Sequence, residues 1–321
     1  MGVLAVAAVV PVYNRPRVVI EALDSVAAQT RPPDELVVVD DGSSPETARR
    51  VAAWIEASNG RLPTRLIRQT NAGPAAARNR GAAEVNGCDL LAFLDSDDLW
   101  PQDYLERMTQ AFERNPSAAA ASCDQLLLDA RTEHSELIRR DVAAPRATSR
   151  ILAEGAPGTP NTVVRTAPFR AAGGYHPKWP LGEEFDLMLR LSQHGEWLYV
   201  PGAPVVVRLG RAAAAGEEGH FGKLRPDPRR IEAQLIEEFL TSYVPGRNGG
   251  ANGGPEPAER RVLAYRWYKA GRQLARLGKR HEGHECFRRA LHWRLGYFRA
   301  WWGAAATVGF RNGAGGNRAA P

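Results

Sequence analysis

The residues FLDSDDLW, Phe93 to Trp100, decide how the chain is read. They close the apolar run DLLAFL, Asp89 to Leu94, which has the length and composition of a buried strand. Three carboxylates, Asp95, Asp97 and Asp98, follow within four residues. Such a group repels itself unless a cation neutralises it. In an extended turn Asp95 and Asp97 face the same way. Hard cations such as Mg²⁺ or Mn²⁺ take oxygen ligands and bridge to substrate phosphates, so a metal–diphosphate site is expected. The competing use is helix capping by Asp98 before Leu99-Trp100-Pro101, which needs one acid rather than three.

Working outward, the same punctuation recurs. Residues 3–10 form a β-branched strand ending at Pro11, and residues 16–29 carry a helical apolar stripe through Val18, Val19, Ala22, Leu23, Val26 and Ala27. Glu35 to Val39 is a second strand, stopped by Asp40-Asp41-Gly42-Ser43. A helix at 45–57, a strand at 62–68, an Ala-rich helix at 74–84 and a helix from Pro101 to about Asn115 complete the pattern. Strand and helix alternate four times. The expected fold class is α/β: an open, mostly parallel sheet with helices on both faces. Ligands in such sheets bind beyond the carboxyl ends of the strands, where Tyr13-Asn14, Asp40-Asp41 and Asp95 to Asp98 stand.

Other residues suit that location. A carboxylate at Asp41 can accept from a nucleobase or ribose, or can close an Asx-turn with Gly42. Arg78, in NAGPAAARNRG (71–81), offers forked donors to phosphate oxygens. In GEEFDLMLRL (182–191), acids open an amphipathic helix. They either complement its N-terminal dipole or supply a general base. No G-x-G-x-x-G follows the first strand and no P-loop motif exists, which counts against dinucleotide and P-loop chemistry. His281 and His284, near Cys286, read as exposed helix side chains rather than a metal site.

The 321 residues are 44% hydrophobic and 24% charged, enough for about two packed domains. Cys88, Cys123 and Cys286 have no C-x-x-C spacing, as expected in a reducing compartment, so a cytoplasmic location is expected. The Val3–Val12 run is too short for a membrane span and lacks secretory flanks. Residues 1–129 carry 12 Lys and Arg against 18 Asp and Glu, whereas residues 223–321 carry 19 against 8. The acidic front argues against nucleic acid. The basic tail suits a surface partner, either an acidic protein or the inner membrane face, unless it is simply solvated.

Residues 246–258, GRNGGANGGPEPA, read as a flexible linker and 311–321 as a disordered tail. Between them, 259–310 is helical with a 34-residue echo: Trp267, Ala270, Gly271, Leu274, Gly283, Phe287 and Ala290 follow tetratricopeptide spacing, and Trp301 falls 34 residues after Trp267. The expected domain therefore spans 1–245, with the helical tail separate.

Five motifs in order, VVPVYNRP (9–16), VVVDDGSS (37–44), NAGPAAARNRG (71–81), FLDSDDLW (93–100) and GEEFDLMLRL (182–191), make the chain resemble the inverting family 2 glycosyltransferases of GT-A fold. The resemblance covers residues 3 to about 207. It implies a metal-dependent enzyme of polysaccharide biosynthesis that moves sugar from a nucleoside-diphosphate sugar to a hydroxyl of a glycan, lipid-linked or other acceptor. Pro11, Tyr13 and Asp41 would line the base and ribose pocket, with Arg78 and Asp97 at the nucleotide. Asp95, Asp97 and Asp98 would form the D-x-D metal site, and Glu184 would be the catalytic base. Glu183-Glu184 stands where that family usually shows Glu-Asp, and Val207-Arg208-Leu209-Gly210 lacks the family's Tyr-Arg-x-His. The rival functions are a catalytically weak sugar-nucleotide binder with a docking tail, and a nucleotidyltransferase.

Overall fold

The computed structural model describes residues 3–58, 60–179, 181–210, 227–244 and 255–308. Most of the expected linker and all of the expected 311–321 tail lie outside the described residues. The chain forms two compact units, Met1–Leu224 and Arg225–Pro321.

In the first unit, β1 (Val6–Val12), β2 (Glu35–Asp40), β3 (Thr64–Arg68) and β4 (Leu90–Phe93) alternate with α1 (Val18–Ala27), α2 (Pro45–Ala57) and α3 (Pro74–Glu84), and α4 (Tyr104–Arg114) follows. The later elements are β5 (Ala118–Ser122), β6 (Gln125–Asp129), β7 (Ser135–Ile138), α5 (Thr148–Glu154), β8 (Thr162–Arg165), α6 (Thr166–Ala171), α7 (Glu183–Leu191), β9 (Glu196–Tyr199) and β10 (Val205–Leu209). The seven-stranded sheet runs β3-β2-β1-β4-β8-β5-β9, and a second sheet runs β10-β6-β7. The pairs β3-β2, β2-β1, β1-β4 and β5-β9 are parallel, while β8 is antiparallel to both of its neighbours. This is the mostly parallel α/β sheet expected.

Alternating side chains of β1 serve two faces. Val6, Ala8, Val10 and Val12 join Leu23, Val26, Tyr104, Met108 and Phe112 of α1 and α4 in one core. Val9 and Val39 face α3, which packs so closely that a Cβ on Gly81 would lie 2.4 Å from Val9 Cγ1. Strand β1 does not stop at Pro11. The Val9 carbonyl accepts from Leu94 N–H, so Pro11, two residues on, turns the same edge toward β4, and there the β4 ladder has ended. A missing N–H costs no ladder bond at that position. The site-bearing strand end is thereby moved two residues further along.

The second unit comprises α8 (Pro228–Glu238), a π-helical segment (Phe239–Tyr243), α9 (Pro257–Arg276), α10 (Arg280–Trp293) and α11 (Phe298–Val308). The expected domain end at 245 is therefore too late. Ala233 of α8 shares a buried cluster with Trp267, Ala270 and Leu274, and Trp267 Nε1 donates to Glu237 at 2.8 Å. The expected linker is too long at its end, because Glu256 and Glu259 form a capping box and Pro257 begins α9. Helices α9 and α10 meet through glycines: a Cβ on Gly271 would lie 2.9 Å from the Gly283 carbonyl. The repeat echo does not carry equal environments, since Trp267 is 1% exposed and Trp301 53%. The tetratricopeptide assignment gains no support. No helix among the described residues is long and apolar enough to cross a membrane.

Candidate active site

The ends of β1, β2 and β4 converge as sheet topology requires. After β1, Asn14 adopts φ +50°, a conformation its short polar side chain tolerates. Its N–H donates to Ser43 Oγ at 3.0 Å, and its Oδ1 accepts from Ser44 N–H at 2.8 Å. Pro11 is buried and Tyr13 half-buried beside this junction. Asp41, buried, accepts from Gln69 Nε2 at 2.7 Å, Ala72 N–H at 2.9 Å and Gly73 N–H at 2.9 Å. It thus clamps the loop that leads into α3. A carboxylate has about four acceptor positions, so this clamp leaves little of Asp41 for a base or ribose. Asp40 is likewise engaged, with Ser43 N–H at 2.8 Å and Arg68 at 2.9 Å.

The three acids after β4 point to three different partners. Asp95 pairs with Arg78 at 2.5 Å, and Asp97 pairs with Arg15 at 2.6 Å. Asp98, 4% exposed, accepts the backbone N–H of Arg208 at 2.9 Å and so ties the acid loop to the far end of β10. Burial, with Asp95 and Asp97 alongside, pushes the Asp98 carboxyl well above its ordinary range. Burial also raises Asp97; Asp95 adds to this and Arg15 opposes it. No cluster of three metal-ligating side chains occurs among the described residues. Of the three acids expected at the metal, Asp98 is engaged with backbone, whereas the side chains of Asp95 and Asp97 keep 29% and 19% exposure. Two accessible carboxylates fit an open site of the Mg²⁺ kind, which is completed by waters and substrate phosphates.

Arg78 is the hub. Its guanidinium, buried on α3, bridges Asp95 and Glu183, the latter at 3.0 Å, and lies over the Tyr175 ring at 5.2 Å. Burial alone would lower its pKa; Asp95, Tyr175 and Glu183 reverse this and leave it raised, so the cation is fixed. Glu184, the next residue on α7, takes no part in that ion pair. Its Oε2 accepts Thr159 N–H at 3.1 Å, and Thr159 Oγ1 lies 3.3 Å from the Tyr175 hydroxyl. Asn79 grips Tyr175 on both sides of its backbone, accepting from its N–H at 2.8 Å and donating to its carbonyl at 2.7 Å. Burial, reinforced by the charge of Glu183, raises the Glu184 carboxyl above the usual glutamate range. One carboxylate is thus neutralised by Arg78 while its neighbour is left proton-hungry.

Asp186, by contrast, serves the fold. It pairs with Arg190 one turn on and lies 3.1 Å from His176 Nδ1. The first turn of α7 therefore holds three acids with three roles.

Residues 7–154 match the family model described as Glycosyl transferase family 2. This part of the chain is similar to family 2 glycosyltransferase domains. The succinoglycan biosynthesis protein ExoW of Rhizobium meliloti is 39% identical over 108 residues, covering 33% of this chain and 33% of its own length. An uncharacterized glycosyltransferase of Haemophilus influenzae is 30% identical over 190 residues, 58% of this chain and 61% of that protein. In an uncharacterized glycosyltransferase of Rickettsia felis, the match at 39% identity spans 34% of this chain and only 17% of the relative. The chain thus spans between 17% and 61% of the length of these relatives. Among solved structures, S. aureus TarS 1-349 in complex with UDP-GlcNAc superposes with TM-score 0.69 at 16% identity, over 95% of this chain and 89% of that one. The mannosyltransferase PcManGT from Pyrobaculum calidifontis, in complex with GDP-Man and Mn²⁺, gives 0.56 at 20% identity, over 94% and 79%. At these identities the likeness shows the fold.

Several members of the candidate site escape a reading of motifs. Arg15 sits in VVPVYNRP but only the folded chain sets it on Asp97. Thr159 and Tyr175 lie in segments without periodicity. Arg208 is a lone charge in the strand VVVRL; its guanidinium reaches Glu21 and the Asp97 carbonyl. A single Arg inside an apolar strand is the one signal that could have marked it.

Proposed function

We propose that this chain is an inverting glycosyltransferase that moves a sugar from a nucleoside-diphosphate sugar to an acceptor hydroxyl, with Glu184 as general base. The observation that carries this is the split acid pair on α7: Glu183 neutralised by Arg78, and Glu184 next to it held by Thr159 and raised in pKa. The donors bound by TarS and PcManGT support a nucleotide sugar as substrate.

Glu184 accepts the proton of the acceptor hydroxyl. The freed oxygen forms a bond to the anomeric carbon from the face opposite the diphosphate, and the bond from that carbon to the phosphate oxygen breaks. The nucleoside diphosphate leaves with the electron pair. Direct displacement inverts the anomeric centre and needs no covalent enzyme intermediate. Mg²⁺ or Mn²⁺, held by Asp95 and Asp97, would stabilise the charge developing on the diphosphate. Arg15 and Arg78 already tether those carboxylates and orient them. Tyr175 positions Glu184 through Thr159, and Asp41 fixes the loop that carries α3 and Arg78 to the site. The acceptor class is a hydroxyl of a glycan or of a lipid-linked sugar.

The test is a panel of UDP-, GDP- and dTDP-sugars with hydroxyl acceptors, with and without EDTA. Release of nucleoside diphosphate coupled to a glycoside of inverted configuration is expected. A retained configuration, or tight donor binding with no turnover under any condition, would remove Glu184 from its role.

A further inference from the structure

The last described helix carries its largest side chains on the outside. In α11, Phe298 is 68% exposed, Trp301 53% and Trp302 67%, and Leu295 just before it is 73% exposed. Phe298, Trp301 and Trp302 stand at i, i+3 and i+4, so they share one face. Ala300 and Ala304, on the other side, are buried. Two contacts give the outer face a set shape. Trp301 Nε1 donates to the Leu295 carbonyl at 2.8 Å, and the Phe298 and Trp302 rings meet edge-on with centroids 6.2 Å apart. A single exposed apolar side chain needs no explanation, but a contiguous aromatic patch marks an interaction surface.

The charge around the patch selects the partner. Arg294 and Arg299 are exposed beside it. From Phe287 to Pro321 the sequence holds six Arg and neither Asp nor Glu. A second copy of the same face would set arginine against arginine with no acid to answer it. Amphipathic aromatic rings flanked by two arginines suit the headgroup region of an anionic bilayer. We propose that this face of α11 docks on an anionic lipid surface. Leu295, Phe298 and Trp302 enter the boundary between headgroups and acyl chains, and Arg294 and Arg299 meet lipid phosphates. The proposal does not depend on the sugar-transfer chemistry.

The full chain is sedimented with vesicles of phosphatidylcholine alone and of phosphatidylcholine mixed with phosphatidylglycerol, without nucleotide sugar. Binding to the mixed vesicles only is expected. It should weaken strongly toward 1 M salt, where the Debye length shrinks to about 3 Å. The double variant Phe298→Ala/Trp302→Ala should lose about tenfold or more in partitioning, because the inserted apolar area is gone. Arg294→Gln/Arg299→Gln should lose several-fold and become less salt-sensitive. Both variants replace exposed side chains, and circular dichroism melts confirm the fold. Wild-type protein that stays in the supernatant overturns the proposal, as does an aromatic double variant that binds like wild type. A lipid-free wild type that is dimeric by light scattering, with a monomeric aromatic variant, would assign the face to a second copy instead.

Discussion

Replacing Arg78 with Met keeps most of the side chain's length and removes its charge. Asp95 and Glu183 then lose the cation that sits 2.5 and 3.0 Å from them. Removing one partner of a buried pair costs about 3–5 kcal/mol, because an uncompensated charge is left behind. Here Asp95 retains 29% side-chain exposure and Glu183 14%, so water recovers part of that loss. A destabilisation of about 2–4 kcal/mol is expected, below the fully buried limit. Arg78→Lys should cost less, since a point charge can hold one carboxylate but cannot fork between two. The assay is equilibrium urea unfolding of the full chain, fitted with two transitions if the two units unfold separately. A double-mutant cycle with Glu183→Gln isolates the pair, and a coupling of about 0.5–3 kcal/mol is expected for residues in one network. A loss below about 1 kcal/mol, the range of an exposed pair, or a coupling near zero, would refute the view of Arg78 as the hub.

The remaining expectations concern the metal ligands and the sheet. Asp97→Asn should weaken donor binding chiefly when Mn²⁺ is present, measured by calorimetry with and without metal. Asp98→Asn should leave the metal dependence unchanged, because the amide oxygen still accepts the Arg208 N–H. Gly81→Ala should destabilise by roughly 1–3 kcal/mol, the usual cost of overpacking, because its Cβ would fall 2.4 Å from Val9 Cγ1; an unchanged melting temperature would show that α3 is free to shift.

The fold was legible where period and punctuation agree. The runs at 35–39 and 89–94 are short, β-branched or aliphatic, and closed by acids, and both are central strands. Beyond Asn115 the signal weakens. Strand β5 is Ala118-Ala119-Ala120-Ala121-Ser122, a composition of helical propensity that sheet burial overrides. Strand β8, antiparallel between β4 and β5, has a partner choice no local pattern encodes. Site residues were legible where several carboxylates crowd together, but their roles were not. Asp95, Asp97 and Asp98 look alike in sequence, and only the crossing of Arg208 shows that Asp98 is tied to backbone. Helix α8 was assigned to the wrong unit because no change of composition separates it from what precedes it; Ala233 and Glu237 meet their partners about 30 residues later in the chain.

The most direct test of the catalytic account is the pH dependence of single-turnover transfer for the wild type, Glu184→Gln and Tyr175→Phe. Burial and Glu183 raise the Glu184 pKa, so the proton acceptor is lost as pH falls through that raised value. Wild-type turnover should therefore fall on an acid limb displaced above the ordinary glutamate range. Glu184→Gln should bind donor nearly as well as wild type, lose that limb and turn over about 10²–10⁴-fold more slowly, the usual contribution of a general base. Tyr175→Phe, which loses the hydroxyl facing Thr159, should keep the limb at a shifted pH. A Glu184→Gln enzyme with near-normal turnover and an unchanged acid limb would contradict the assignment and move the base to another group.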